Sequence, residues 1–255
     1  MSNLSVDPNP RVAFRIAHQD DDLMVVEKPP GLVTQPGKGH MRDTLLNGLF
    51  AIEGVGSKLQ NLGKARDFGL LHRLDRETSG LLLIGLRPRA YDALREAFAT
   101  RRIRKFYWAV CAKGPSHDSG VIRRPIVEVQ EEQKLARLSS SGKPAVTAYR
   151  VLDRSIASAL VECRPVTGRL HQIRVHMESI GCPIVGDRVY APKAVAEASR
   201  RLALHAHRLA FTHPVTNEVV DARTAWPPDL RNLLRRLGLK KPEEARDVNI
   251  SDSEE

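Results

Sequence analysis

The sequence predicts an α+β domain built on a mixed sheet, and three observations carry that expectation. Strand-like apolar runs are frequent along the chain. Helical periodicity is confined to a few short segments. The two kinds of element interleave without the regular alternation of a doubly wound parallel sheet.

In chain order, residues 23–27 (LMVVE) read as a strand that follows an acidic turn and stops at Lys28-Pro29-Pro30-Gly31. A short helix is expected over 43–52, with Asp43 as its cap. Residues 81–86 (LLLIGL) are continuously apolar, as for a strand buried on both faces. Residues 89–100 place Tyr91, Leu94 and Phe98 on one helical face. Strands are expected over 106–112, 146–152 and 159–163. A second clear helix starts near Arg169 and leaves through Gly181, a residue suited to a left-handed exit. Strands over 203–211 and 218–222 and a helix near 228–237 complete the reading.

No long linker or internal repeat divides the 255 residues, so one domain over 11–239 is expected. A loose lead-in (1–10) precedes it, and an acidic, disordered tail (240–255) follows. The formal net charge is +10; the tail carries −3, which leaves +13 on residues 1–239. So basic a body favours a polyanionic partner, nucleic acid first. No apolar run is long enough to span a membrane, and the N-terminus has no apolar segment of a secretory signal. Three widely spaced cysteines, Cys111, Cys163 and Cys182, form neither a disulfide framework nor a zinc pattern and suit a reducing compartment. The expected location is the cytoplasm.

Three segments have the residue types for chemistry. In LLHRLDRETSGLLLIGL (70–86) a polar cluster lies directly before an apolar strand. Asp75 stands among His72, Arg73 and Arg76, whose charge favours an ionised carboxylate able to act as nucleophile or base. The same residues also suit a simple turn, with Asp75 and Ser79 bonded to nearby backbone. In TGRLHQIRVHMESIG (167–181), Leu170, Ile173, Met177 and Ile180 form an apolar stripe with Arg174 beside it. A partly buried guanidinium there calls for Asp75 or Asp187 as partner, unless it snorkels to water. In RRIRKFYWAVCA (101–112), Arg101, Arg102, Arg104 and Lys105 lead into Phe106, Tyr107 and Trp108. That pattern suits phosphate contacts and base stacking, or else a cation-rich helix end followed by a core strand. Histidine spacings give no metal motif: His171 and His176 fall on different helical faces, and His205 and His207 lack a third ligand. No Walker loop, dinucleotide fingerprint or nucleophile elbow occurs.

Together these residues resemble the RluA-type pseudouridine synthases. HRLDRETSG (72–80) is similar to the family's HRLDxxTSG signature, and GRLHQIRVH (168–176) to its GRTHQIRVH segment, with Leu170 where Thr is usual. Lys105-Phe106-Tyr107 resembles the KxY element. Ile184-Val185-Gly186-Asp187 with Tyr190 resembles the PI-GD-Y stretch. Leu204-His205-Ala206 and His213-Pro214 resemble the late LHA and HP elements, and Glu27-Lys28-Pro29-Pro30-Gly31-Leu32 the NKPxG opening. The resemblance runs in order over about residues 20–230.

It implies a mostly antiparallel mixed sheet with helices and loops around an RNA cleft. It implies Asp75 as the catalytic aspartate, Tyr107 as the stacking residue, Arg174 as the partner of Asp75, and Arg73 as the residue that enters the space left by a flipped uridine. Arg101, Arg102, Arg104 and Lys105 are then candidates for the RNA backbone. Isomerising uridine needs no redox change and no group donor, so neither cofactor nor metal is expected. The expected substrate is tRNA or large-subunit rRNA, acted on by a monomer. The NKPxG-like element begins so early that the short form, without an N-terminal RNA-binding domain, is expected. The rival readings are a non-catalytic RNA chaperone of the same family and a hydrolase of glycosidic bonds. The second would need a paired acid, for which Glu77 is the close candidate.

Overall fold

Strands rich in Leu, Val and Ile with no polar interruption must be covered on both faces, and the centre of the sheet is built from them. The computed structural model describes residues 6–131 and 134–242. Its strands are β1 (Arg15–Gln19), β2 (Leu23–Lys28), β3 (Ser79–Gly85), β4 (Arg104–Ala112), β5 (Ser119–Arg123), β6 (Ile126–Gln130), β7 (Lys134–Leu138), β8 (Val146–Arg154), β9 (Ser158–Pro165), β10 (Leu204–Thr212) and β11 (Val219–Arg223). Its helices are α1 (Leu45–Phe50), α2 (Val55–Leu62), α3 (Pro88–Ala99), α4 (Gln172–Ser179), α5 (Lys193–Glu197) and α6 (Arg231–Arg236). The fold is α+β.

The main sheet runs β1-β2-β3-β10-β4-β9-β8-β5, with β11 also on β10, and β6–β7 form a separate hairpin. The pairing of β3 with β10 is parallel; the other strand pairs are antiparallel. Every residue of β3 is buried, as the run 81–86 predicts. The late strand β10 enters between β3 and β4, so Ala206 pairs with Gly80 on one side and Tyr107 on the other. Gly80 adopts φ +118°, and a Cβ there would lie 2.2 Å from the Ala206 carbonyl oxygen. Glycine is required at this point because the two backbones touch.

Three expectations change in detail. Helix α1 is capped by Thr44, not Asp43: its hydroxyl accepts from the Asn47 backbone N–H, and the Asn47 side chain returns to the Thr44 N–H. This reciprocal pair satisfies two otherwise orphaned donors. In α4, Ile173 and Met177 are buried, but Leu170 precedes the helix and Ile180 is exposed. The helix starts at Gln172, because His171 takes a left-handed backbone and begins a new direction. The lead-in, expected to be loose over 1–10, is tied down in its described part. Asn9 donates its backbone N–H to the Asn47 carbonyl and its side-chain amide N–H to the Arg42 carbonyl, and Val6 packs on the core. Strands β1, β5, β6 and β7 and helices α2 and α5 have no counterpart among the expected elements. They are short, and β1 and β5 alternate only weakly in burial. The acidic tail expected over 240–255 lies outside the described residues from 243 onward. No helix among the described residues is long and apolar enough to cross a membrane.

Candidate active site

The segment before β3 carries Asp75, and its backbone is held from two sides. Beyond Gly80 the β10-facing edge of β3 is no longer paired with β10. Leu70 bridges Ile84 there, and His72 Nε2 accepts the Leu83 N–H at 3.0 Å. On the other side, the Gly31 N–H donates to the Arg76 carbonyl at 2.8 Å, and the Thr34 hydroxyl to the Leu74 carbonyl at 3.0 Å. Asp75 is left at the rim, its side chain 24% exposed.

Arg174 projects from α4, its side chain 7% exposed, beneath that carboxylate. Its Nε and Nη2 donate to the two oxygens of Asp187, each at 2.8 Å, and its Nη1 reaches Asp75 Oδ2 at 3.3 Å. The guanidinium lies over the Tyr190 ring, 5.0 Å from its centroid. Snorkelling is thereby replaced by a two-carboxylate clamp, in which Asp187 takes the bidentate share and Asp75 the single contact. Burial opposes the charge on Asp187, but the Arg174 hydrogen bonds and two backbone N–H donors, Val189 and Tyr190, bring its pKa below the ordinary value. Burial likewise opposes the charge on Arg174, and Asp187 then raises its pKa above the ordinary value.

Tyr107 comes from β4, two strands away from β3, and is buried. Burial pushes its phenol pKa up and the charge of Asp75 adds to this, so the hydroxyl stays protonated. Strand alternation puts Lys105 on the Tyr107 face and Arg104 on the opposite one. Lys105 Nζ sits 5.7 Å from the Phe98 ring centroid, and burial lowers its pKa to about 8. Arg101, Arg102 and Arg104 are exposed, as is Arg73. The structure therefore brings together Asp75, Arg174 and Tyr107, with Lys105 sharing the Tyr107 face. It does not bring Arg104 to that face.

A sequence model of the family described as RNA pseudouridylate synthase matches residues 22–179. The chain belongs to this family. It is 38% identical over 264 residues to the ribosomal large subunit pseudouridine synthase D of Neisseria meningitidis serogroup A, covering 99% of this chain and 68% of the relative. It is 37% identical to an uncharacterized RNA pseudouridine synthase of Bacillus subtilis, covering 87% and 72%. Among solved structures, the human RNA pseudouridylate synthase domain containing 4 superposes with a TM-score of 0.68 at 29% identity, covering 90% of this chain and 95% of that one. The protein is thus an RNA pseudouridine synthase of the RluA type, an isomerase.

Within this synthase, Lys28 is a site residue that the sequence flagged only as part of its NKPxG-like opening. It is fully buried, and its Nζ donates to the carbonyls of Pro29, Leu32 and Arg76 at 2.9, 2.8 and 3.1 Å. Burial lowers its pKa to about 7, against the opposing pull of Asp75 and Glu77. The ammonium staples the 28–32 turn to the loop that carries Asp75. Its signal was a lysine at a strand end directly before Pro-Pro, where carbonyls lack ladder partners.

Among the described residues, one His and carboxylate group has metal-like spacing: Asp20, Asp22 and His213. His213 Nδ1 accepts the N–H groups of Val215 and Thr216, which leaves its ring proton on Nε2, 3.3 Å from Asp20 Oδ2. The ring has no lone pair to offer a cation, so the group braces a turn.

Two histidines, the buried His205 and the part-buried His72, make stability depend on pH. Burial lowers His72 and His205 to about 3 from 6.5. Below 6.5 the unfolded chain binds protons that the folded one excludes, so stability falls as pH drops from 6.5 toward 3. Each histidine adds up to about 1.4 kcal/mol per pH unit to that slope. Urea midpoints should fall steadily from pH 7 to pH 5; a flat midpoint would contradict the assignment.

Proposed function

We propose that this synthase converts uridine to pseudouridine in large-subunit rRNA, with Asp75 as its catalytic residue. The observation that carries the reading is one part-exposed carboxylate, held on a single oxygen by a buried arginine beside a buried phenol. Identity to relatives named for the large ribosomal subunit supports the choice of rRNA over tRNA.

The target uridine must leave its stack before its C1′ can be reached. Tyr107 stacks on the extruded uracil, and Arg73, exposed two residues before Asp75, enters the space left in the RNA. Asp75 then attacks C1′ or removes a proton from C2′. Either route breaks the C1′–N1 bond and lets the uracil turn; C1′ then joins C5 as the Asp75–C1′ ester breaks or the C2′ proton returns, and the proton lost from C5 is matched by one gained on N1. Arg174 holds the carboxylate in place and is itself held by Asp187. Phosphates are taken by Lys105, Arg101 and Arg102. Arg104 leaves this group, since it lies on the other face of β4. A monomer in the cytoplasm fits three free, buried cysteines and a basic body.

Pseudouridine mapping on large-subunit rRNA and on tRNA incubated with the purified enzyme tests the substrate. New pseudouridine is expected in the rRNA; modification of tRNA alone would overturn the choice. Release of free uracil would point to hydrolysis instead. For the phosphate track, Lys105→Gln should weaken RNA binding and reduce the log–log salt slope by about 0.7 to 0.9. Arg104→Gln should leave that slope nearly unchanged. Titrations at several salt concentrations check both.

A further inference from the structure

His171 lies in the site, yet neither the expected reaction nor the Arg174 clamp makes use of it. Its backbone is left-handed, with φ 50° and ψ 22°, at the start of α4. That conformation turns the ring back toward the loop of Asp75, where Nε2 stands 3.9 Å from Asp75 Oδ2. The other nitrogen, Nδ1, lies 2.7 Å from the Tyr190 hydroxyl. That hydroxyl also accepts the Ala136 N–H from β7 at 2.9 Å. Having accepted one bond, the Tyr190 hydroxyl directs its own proton to the acceptor in reach, His171 Nδ1. The tautomer follows: Nδ1 carries the lone pair and Nε2 the proton, and the N–H points at Asp75.

We propose that His171 is a positioning residue for pseudouridine formation, presented to Asp75 as a neutral Nε2–H donor by the Tyr190 hydroxyl. This inference rests on the reading of Asp75 as the catalytic carboxylate. Arg174 and His171 approach the same oxygen, Oδ2, so the carboxylate is steadied from one side and Oδ1 is the atom presented to the nucleotide. The 3.9 Å gap is one that closes when substrate fills the site. Tyr190 is well placed for the task. Its backbone N–H bonds Asp187, its ring lies against Arg174, and its ring meets His171 edge-on at 5.5 Å.

The arrangement also keeps His171 uncharged. A proton on Nδ1 would leave the Tyr190 hydroxyl proton without an acceptor. The charged groups facing the ring are Asp75, from the loop before β3, Arg174 of α4, and Asp187, from the loop after α4. Burial lowers the His171 pKa, and Arg174 opposes the pull of the two aspartates. A neutral donor steadies Asp75 without the full charge that would hold its electrons back from the substrate.

The test has two arms. Nitrogen-15 NMR of the histidine-labelled wild-type enzyme reads the tautomer directly; Nε2–H is expected at pH 7, and Nδ1–H would overturn the proposal. In kinetics, His171→Gln should lower kcat about tenfold at every pH with KM unchanged, as for one lost hydrogen bond to a charged group. Tyr190→Phe removes only the hydroxyl and lets Nδ1 take a proton. It should introduce a loss of kcat toward acid pH that is absent from wild type. The double variant should lose that acid limb, because its source is gone. A Tyr190→Phe profile parallel to wild type, or an acid limb that survives in the double variant, overturns the proposal. Full activity of Asp75→Asn would instead remove the reading on which it rests.

Discussion

Asp75→Asn is expected to reduce pseudouridine formation by about 10³-fold or more, the scale of removing a positioned acid–base group, while RNA affinity stays near wild type. Asparagine keeps the size of the side chain and can still accept from Arg174 Nη1 through its amide oxygen. What it loses is the negative charge that attacks C1′ or takes the C2′ proton. The fold should tolerate the change, since the side chain is part-exposed and the loop is held by backbone bonds to Gly31 and Thr34. Single-turnover assays on an rRNA fragment, with binding measured in parallel, check this. Turnover within tenfold of wild type would remove Asp75 from the mechanism.

Arg174→Leu should cost both activity and stability. It leaves Asp187, 1% exposed, with no cation against its charge. Stranding one member of a buried pair costs about 3–5 kcal/mol, so a clear drop in the urea midpoint is expected. Activity should fall further than stability alone explains, because Asp75 Oδ2 loses its 3.3 Å contact. The pair Arg174→Met with Asp187→Leu separates the two effects. Apolar side chains of similar volume can replace a buried ion pair at little cost, so the double variant should regain much of the stability and none of the activity. Recovery of both would mean that the clamp is merely structural.

The strong elements were legible from local pattern. The unbroken apolar run of β3, the single face of Tyr91, Leu94 and Phe98 in α3, and the glycine exit of α4 at Gly181 each follow from the period of their own residues. Short edge strands such as β1 and β5 were not legible, since half-exposed segments carry little hydrophobic contrast. The Arg174 argument reached the right pair of acids from helical geometry, but it could not rank them. That ranking depends on which acid lies in the plane of the guanidinium fork, and Asp187 does. Lys28 has near partners in the Pro29 and Leu32 carbonyls, but its tie to Arg76, like that of His171 to Asp75, spans elements that only the fold brings together.

By itself the sequence determined the α+β class, the basic body, the family signature and the loop that carries the carboxylate. Each of these is a property of neighbouring residues or of total charge. Only the tertiary structure decided that β10 enters between β3 and β4 and sets Gly80, Ala206 and Tyr107 in one row. It also decided that Asp187 rather than Asp75 takes the guanidinium fork. The physical reason is that ladder hydrogen bonds join any backbone to any other. The order and register of strands more than a hundred residues apart are selected by the fit of whole buried faces, such as the glycine that lets β3 touch β10.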